Sequence, residues 1–261
     1  MIKSLHTAAT GMQAQQTNMD TIANNIANTG TTGFKKTRAE FEDLLYQNIK
    51  EPGTATGLNA VSPTGVQVGL GVKTAATQKD FSLGSLQITN RDLDVAINGK
   101  GFLQMLKTDG TMAYTRNGEL HRSADGRIVD FNGNVLQPEI TIPADAKDVI
   151  ISAEGEVSVL TTGNEAPQVI GQIELATFVN PTGLKAVGGN LFLATAASGD
   201  AVVGNPNQGH YGALGQRELE NSNVNIVEEM VNMITTQRAY ETNSKVIQAS
   251  DQMLQALTHL R

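Results

Sequence analysis

Residues 226–254 read IVEEMVNMITTQRAYETNSKVIQASDQML, and Ile226, Met233, Tyr240, Ile247 and Leu254 return at every seventh place. A seven-residue apolar step draws one narrow stripe along a helix, the pattern of a coiled-coil seam. The opposite end of the chain repeats it: Leu5, Met12, Met19 and Ile26 stand seven apart, with Ala8 and Ile22 between them. Nothing in the long stretch between the two ends carries such a step. The polar side of the first stripe is rich in amides (Gln13, Gln15, Gln16, Asn18, Asn24, Asn25 and Asn28), where a freely exposed helix more commonly carries Lys and Glu.

The first helix is expected over residues 3–28, stopped by the turn-like Thr29–Gly33 run. The last opens near Asn223 or Asn225, either of which can cap it, with Glu228 and Glu229 placed favourably in its first turn. Met230, Ile234, Val246, Met253, Leu257 and Leu260 widen its apolar face, while Gln237, Ser244, Asp251 and Thr258 fall at the alternate seam positions. A two-stranded zipper rarely tolerates Asp251 there, so the expected setting is a crowded helix layer in which polar seam residues fix register. Isolated helices are marginal in water, so each end is expected to order only on assembly.

Residues 34–50, with Phe34, Phe41, Leu44, Leu45 and Ile49, suit either a short helix or an extended segment. Residues 51–71 are rich in Pro, Gly, Thr and Ala and read as an extended arm or linker. From Val72 to about Asn207 the signals are strands and turns. Asp94–Asn98 and Phe102–Leu106 around Gly99-Lys100-Gly101 read as a hairpin, and Asp109-Gly110 and Asp125-Gly126 as primed-turn dipeptides, with further turns at Gly133 and Gly155. The fold class expected is α+β, with terminal N- and C-helices pairing in a coiled-coil-like layer and a central all-β domain between them. The boundaries expected are 1–32 and 222–261 for the helical assembly domain, 33–71 for the connecting segment with its arm, and 72–221 for the β-rich domain.

The 261 residues suffice for a sizeable core. Nineteen basic against 26 acidic residues leave a net charge of −7 without runs of one sign, which disfavours nucleic-acid binding. The chain has no cysteine, so disulfides and thiolate chemistry are absent. No apolar run is long enough to insert in a membrane, and the N-terminus lacks the apolar core of a secretory signal. His6, His121, His210 and His259 have no metal-ligand spacing, Asp92 and Asp94 read as a polar turn before a strand, and Gly69-Leu70-Gly71 and Asn98–Gly101 match no nucleotide fingerprint. No catalytic residue, cofactor or metal is expected. A β-rich hydrolase acting on envelope glycans is the competing reading from another class, and it needs a cleft with paired carboxylates.

Ala23-Asn24-Asn25-Ile26-Ala27-Asn28 followed by Gly33-Phe34-Lys35 resembles the N-terminal signature of the flagellar basal-body rod and hook family. Ser222–Asn225, Glu229-Met230-Val231, Gln237–Lys245 (with Arg238, Tyr240 and Asn243) and Asp251–Leu254 resemble its C-terminal signature, and Asp92–Phe102 and Tyr114–Gly118 its body. Within that family, Phe41–Gln47 and the arm after it look most like the distal-rod member, with a proximal-rod member and the hook subunit as alternatives. The resemblance implies an axial structural subunit, exported by the flagellar type III apparatus without signal cleavage and stacked helically into a hollow rod crossing the periplasm. It further implies that the helices line an inner tube layer, with Leu5, Met12, Met19, Ile22, Ile26, Ile226, Met230, Met233, Tyr240, Ile247 and Leu254 at subunit interfaces. Implied neighbours are copies of itself, proximal rod subunits, the hook or hook-junction subunits, and the P- and L-ring proteins. The arm at 51–71 would bridge subunits and stiffen the shaft.

Overall fold

The computed structural model describes residues 2–53, 55–57, 60–61, 63–161 and 164–259. Two long helices, α1 (Ile2–Ala27) and α2 (Ile226–His259), flank a β-rich region. α1 begins one residue before the expected start, and α2 opens immediately after Asn225, whose Oδ1 accepts from Val227 N at 3.1 Å. This is the side-chain cap that satisfies an otherwise orphaned helix amide. Among the described residues no helix is long and apolar enough to cross a membrane.

By its internal contacts the chain divides into two compact units, one of residues 1–27, 37–78 and 225–261, the other of 28–36 and 79–224. In the first unit α1 packs along α2. The segment left open between helix and extended chain is extended: strands Thr37–Asp43 and Tyr46–Lys50 lead outward and pair with the returning strands Val72–Lys79 and Val66–Gly69. Between them Ala55–Gly57 pairs with Ala60–Val61, so the arm is a folded-back β-ribbon; residues 54, 58, 59 and 62 lie outside the described residues. The arm therefore groups with the helices. Where it passes α1, Gly71 adopts φ +120° and a Cβ there would strike Thr10 Oγ1, so only glycine fits.

The second unit holds the core. Its main sheet runs His121–Arg122, Ile128–Val129, Val135–Gln137, Phe102–Leu106, Met112–Thr115, Leu191–Leu193, Lys185–Gly188. Phe102–Leu106 is central: one edge carries Met112–Thr115, and the other is shared by Val135–Gln137 and Leu175–Thr177. A three-stranded meander, Ala146–Ile151, Glu156–Thr161 and Asn164–Gln172, contributes Ile151, Val157 and Val159 to the same core as Leu103, Met105, Leu136 and Leu175. Phe102, Phe178, Phe192 and Tyr114 form a second cluster of edge-to-face rings.

Two turn readings need correction. The dipeptide positions at Gly110 and Gly126 are hairpins, as are those at Gly133 and Gly155, but none uses a two-residue primed turn. In each, a residue pairs with the one four places on (Lys107–Thr111, Ser123–Arg127, Asp130–Asn134, Ser152–Glu156), closing a three-residue loop whose last member is glycine. Those glycines sit at φ +79° to +87°, the left-handed position that such loops require. The Asn98–Gly101 segment is not a hairpin at all. Val95–Asn98 pairs with Ala213–Gln216, while Phe102–Leu106 pairs elsewhere. Gly99 (φ +128°) and Gly101 (φ +141°) turn their carbonyls onto the Arg116 guanidinium, which donates to them at 2.7 and 2.9 Å.

Candidate assembly surfaces

Two hydrogen bonds define how the helices pair. Asn25 Nδ2 donates to Glu229 Oε2 at 3.1 Å, and Asn18 Nδ2 donates to Thr236 Oγ1 at 3.0 Å. One step further, a Cβ on Gly11 would sit 3.0 Å from Asn243 Nδ2. Positions fall by seven on α1 as they rise by seven on α2, so the helices are antiparallel and their seam centre is polar. Asn25 does more than bridge helices: its amide also donates to Thr37 O at 2.8 Å and accepts from Thr37 N at 2.9 Å, fixing the first residue of the arm.

The seam differs in detail from the expected one. Its alternate positions on α2 are Glu229, Thr236 and Ser250, all buried, with the half-buried Asn243, rather than Gln237, Ser244 and Asp251. Gln237 and Asp251 are exposed. On a helix of 3.6 residues per turn, positions three and four beyond an apolar residue both lie near its stripe, and only the partner's placement chooses between them. Of the stripe residues, Ile22 is buried, and Leu5, Met12, Met19, Ile26, Met233, Ile247 and Leu254 are half-buried beside the seam. Ile226, Met230 and Tyr240 are exposed. With Val227, Val231 and Ile234 they give the start of α2 an apolar flank whose side chains, Tyr240 apart, are 48–70% exposed. The arm likewise exposes Leu45 (86%), Ile49, Tyr46 and Val66. These apolar groups stand open to solvent in the single chain.

The motif residues of the second unit converge on one buried cluster. Lys35 Nζ reaches Glu220 Oε1 at 2.5 Å, Arg116 Nε reaches Glu220 Oε2 at 2.9 Å, and all three side chains are at most 3% exposed. Lys35 also donates to Ser82 O, and Gly84 N to Glu220 Oε1. Burial alone would raise the Glu220 carboxyl, but Arg116 and Lys35 hold it below the ordinary carboxylate range; burial lowers the Lys35 ammonium, against the pull of Glu220. Gly33 N donates to Glu220 O, and at φ +69° a Cβ on Gly33 would lie 2.7 Å from Asn117 N. Phe34 is buried under Lys79 Nζ, 5.2 Å from the ring centre. Lys35 and Arg116 lie inside motifs visible in the sequence; Glu220, a lone acid in a short strand, had no signal.

Of the remaining motif residues, Asn28 accepts from Thr31, while Asn24 and Arg238 are exposed. Asp92 is ion-paired with Arg217 at 2.6 Å, and Asp94 is buried, its backbone in an isolated β-bridge with Glu119 and its carboxylate 3.7 Å from Arg91. The Arg91 guanidinium donates to His121 Nδ1, and the imidazole packs edge-on against Phe131. Neither aspartate faces the other across a cleft as a glycosidase pair would.

Residues 5–35 match the family described as flagella basal body rod protein, residues 96–159 the flagellar hook protein FlgE/F/G D1 domain, and residues 216–260 the flagellar basal body rod FlgEFG protein C-terminal. The chain is 49% identical over 261 residues to the flagellar basal-body rod protein FlgG of Caulobacter vibrioides, with 100% of both chains covered. It is 50% identical to that of Borreliella burgdorferi, covering 100% of this chain and 99% of the relative, and 39% identical to that of Bacillus subtilis, with both fully covered.

Proposed function

The chain belongs to the FlgG family of flagellar basal-body rod proteins, and from that premise we propose how its parts serve the rod. It is a structural subunit of the distal rod in the flagellar basal body; the observation that carries this is identity near one half across the entire length of relatives bearing that name. Copies polymerise helically into a hollow, stiff shaft that passes torque from motor to hook. The exposed apolar flank at the start of α2 and the open arm supply the contacts between copies, which is where burial of apolar area gains most. Torque transfer needs many modest contacts spread along a polymer, and no catalytic step enters it. Neighbours along the axis are proximal rod subunits and the hook or its junction subunits, with the P and L rings around the shaft where it crosses the periplasm. The chain reaches that place through the flagellar type III apparatus.

Electron cryotomography of envelopes from a strain lacking the gene tests this. A rod stub ending in the periplasm, without hook or filament, is the expected result; an intact flagellum would overturn the reading. Deleting residues 51–71 should leave a tube that bends under load, and a shaft as straight and stiff as before would remove the arm's bridging role.

A further inference from the structure

The apolar stripes cannot by themselves tell one alignment of α1 on α2 from another. Leu5, Met12, Met19 and Ile26 repeat at the same step as Met233, Tyr240, Ile247 and Leu254, so a slide of seven residues matches apolar to apolar again. The polar series between them repeats only in part. Along α1 it runs Asn25, Asn18, Gly11, so a slide exchanges asparagine for asparagine once and asparagine for glycine once; along α2 it runs Glu229, Thr236, Asn243, three residues that differ in size and hydrogen-bonding capacity.

A slide one way carries Glu229, only 4% exposed, past the end of α1 at Ala27, and strips this buried acid of the Asn25 amide. It also sets Asn243 against Asn18, where the room that glycine gives is missing; even a bare Cβ at position 11 would stand 3.0 Å from the Asn243 amide. A slide the other way leaves Asn25 facing chain ahead of Ile226, and Asn243 facing Ser4 instead of glycine. Each slip breaks hydrogen bonds at buried positions or closes the gap at Gly11.

We propose that Asn25–Glu229, Asn18–Thr236 and Gly11–Asn243 form a register key: they confine α1 to a single alignment on α2 and are specificity determinants of assembly. One slip displaces α1 by about 10 Å along α2, since each helical residue rises about 1.5 Å. The exposed flank of α2 would then stand beside a different stretch of α1, and neighbouring copies would meet mismatched surfaces. That consequence for the polymer rests on the rod reading; the register itself does not.

The cysteine-free chain makes the test direct. Three pairs are introduced: Gly11→Cys with Asn243→Cys for the observed register, and Gly11→Cys with Thr236→Cys or with Ser250→Cys for the two slips. Each is placed in the natural background and in one with the key flattened by Asn18→Leu, Asn25→Leu and Glu229→Leu. Basal bodies and purified full-length protein are oxidised and run on non-reducing gels, with helix content followed by circular dichroism. In the natural background the 11/243 pair should give an intrachain product about tenfold above either slipped pair, the discrimination expected from two net hydrogen bonds. With the key flattened, the slipped pairs should rise to comparable yield while helix content holds. Equal yields from all pairs in the natural background, where Asn18, Asn25 and Glu229 are kept, would overturn the proposal. So would unchanged preference for 11/243 after flattening, dimer-sized products in place of intrachain ones, or no product in either preparation. If the flattened chain loses its helices, Asn18→Thr with Thr236→Asn, which exchanges the bonded partners and is scored with the 11/243 and 11/250 pairs, decides: retained preference for 11/243 supports the key, and a loss of preference overturns it. Absence of the chain from basal bodies counts against the rod reading alone, because the purified protein still reports the register.

Discussion

In the β body, Leu103, Met105, Leu136, Ile173 and Leu175 are sealed from solvent, and charge enters the interior at the Lys35–Glu220–Arg116 cluster and at Asp94. In the helical unit the arrangement is nearly inverted. The deepest positions are Ala8, Ala14, Ile22, Asn25, Glu229, Thr236 and Ser250, while Met230, Val231 and Ile234 stand open. A body that buries its apolar groups within one chain is complete alone. A helix pair that buries small and polar groups, and keeps its large apolar ones outside, leaves apolar area whose burial against another molecule would be favourable. On the reading proposed above, the same chain would separate specificity, written in polar contacts, from strength, left to the polymer.

The contrast breaks most readily at Glu220. Glu220→Leu leaves two cations buried without their carboxylate and should cost the body about 3–5 kcal/mol, read as a fall in the denaturant midpoint. Leu103→Ala, in the sealed core, should cost about 2–5 kcal/mol by the same measurement. Met230→Ala and Ile234→Ala should shift the isolated chain by no more than about 0.5 kcal/mol, yet reduce rod length or motility severely. If they destabilise the monomer as much as Leu103→Ala does, the open flank is core and the comparison fails. Gly33→Ala, forced to a positive φ against Asn117 N, should cost about 1–3 kcal/mol.

The subtlest prediction concerns pH. The carboxyl of Glu220 titrates lower in the folded body than in the unfolded chain, so its stabilisation is full above the ordinary carboxylate range and drains away as pH falls through the folded value. Lys35 is lowered by burial, so the unfolded chain holds that proton longer, and stability rises with pH across the alkaline window between its two values. Denaturation curves at stepped pH should show a shallower acid limb for Glu220→Gln than for the natural chain; identical limbs would remove Glu220 from the account.

The helices were legible because a step of seven survives any reading of hydropathy, and the four Gly turns because their residue type is conformationally demanding. The loop length at those turns was not, since the same Asp-Gly pair serves two- and three-residue hairpins. Asn98–Gly101 misled because adjacent strands were assumed to pair with each other, whereas the two glycine carbonyls answer to Arg116, far along the chain. The arm gave no periodic signal because a ribbon open on both faces has no reason to alternate. The polar series Gly11, Asn18, Asn25 lies in full view, but no hydropathy scale marks glycine and asparagine as a seam. Its meaning comes only from the partner helix.

The hairpins closed at Gly110, Gly126, Gly133 and Gly155 join near neighbours in sequence, so they form quickly and without waiting for the rest of the chain. Val95–Asn98 with Ala213–Gln216, and Leu86–Ile88 with Glu218–Glu220, instead join segments more than a hundred residues apart. Long loops are the slow closures, so these pairings come late in folding. Glu220 sits on the last of those strands, a few residues before α2 begins. The fold therefore carries its own sequence of events: local hairpins first, the long closure and its ion cluster after them, and the start of α2 attached to the strand that closes last.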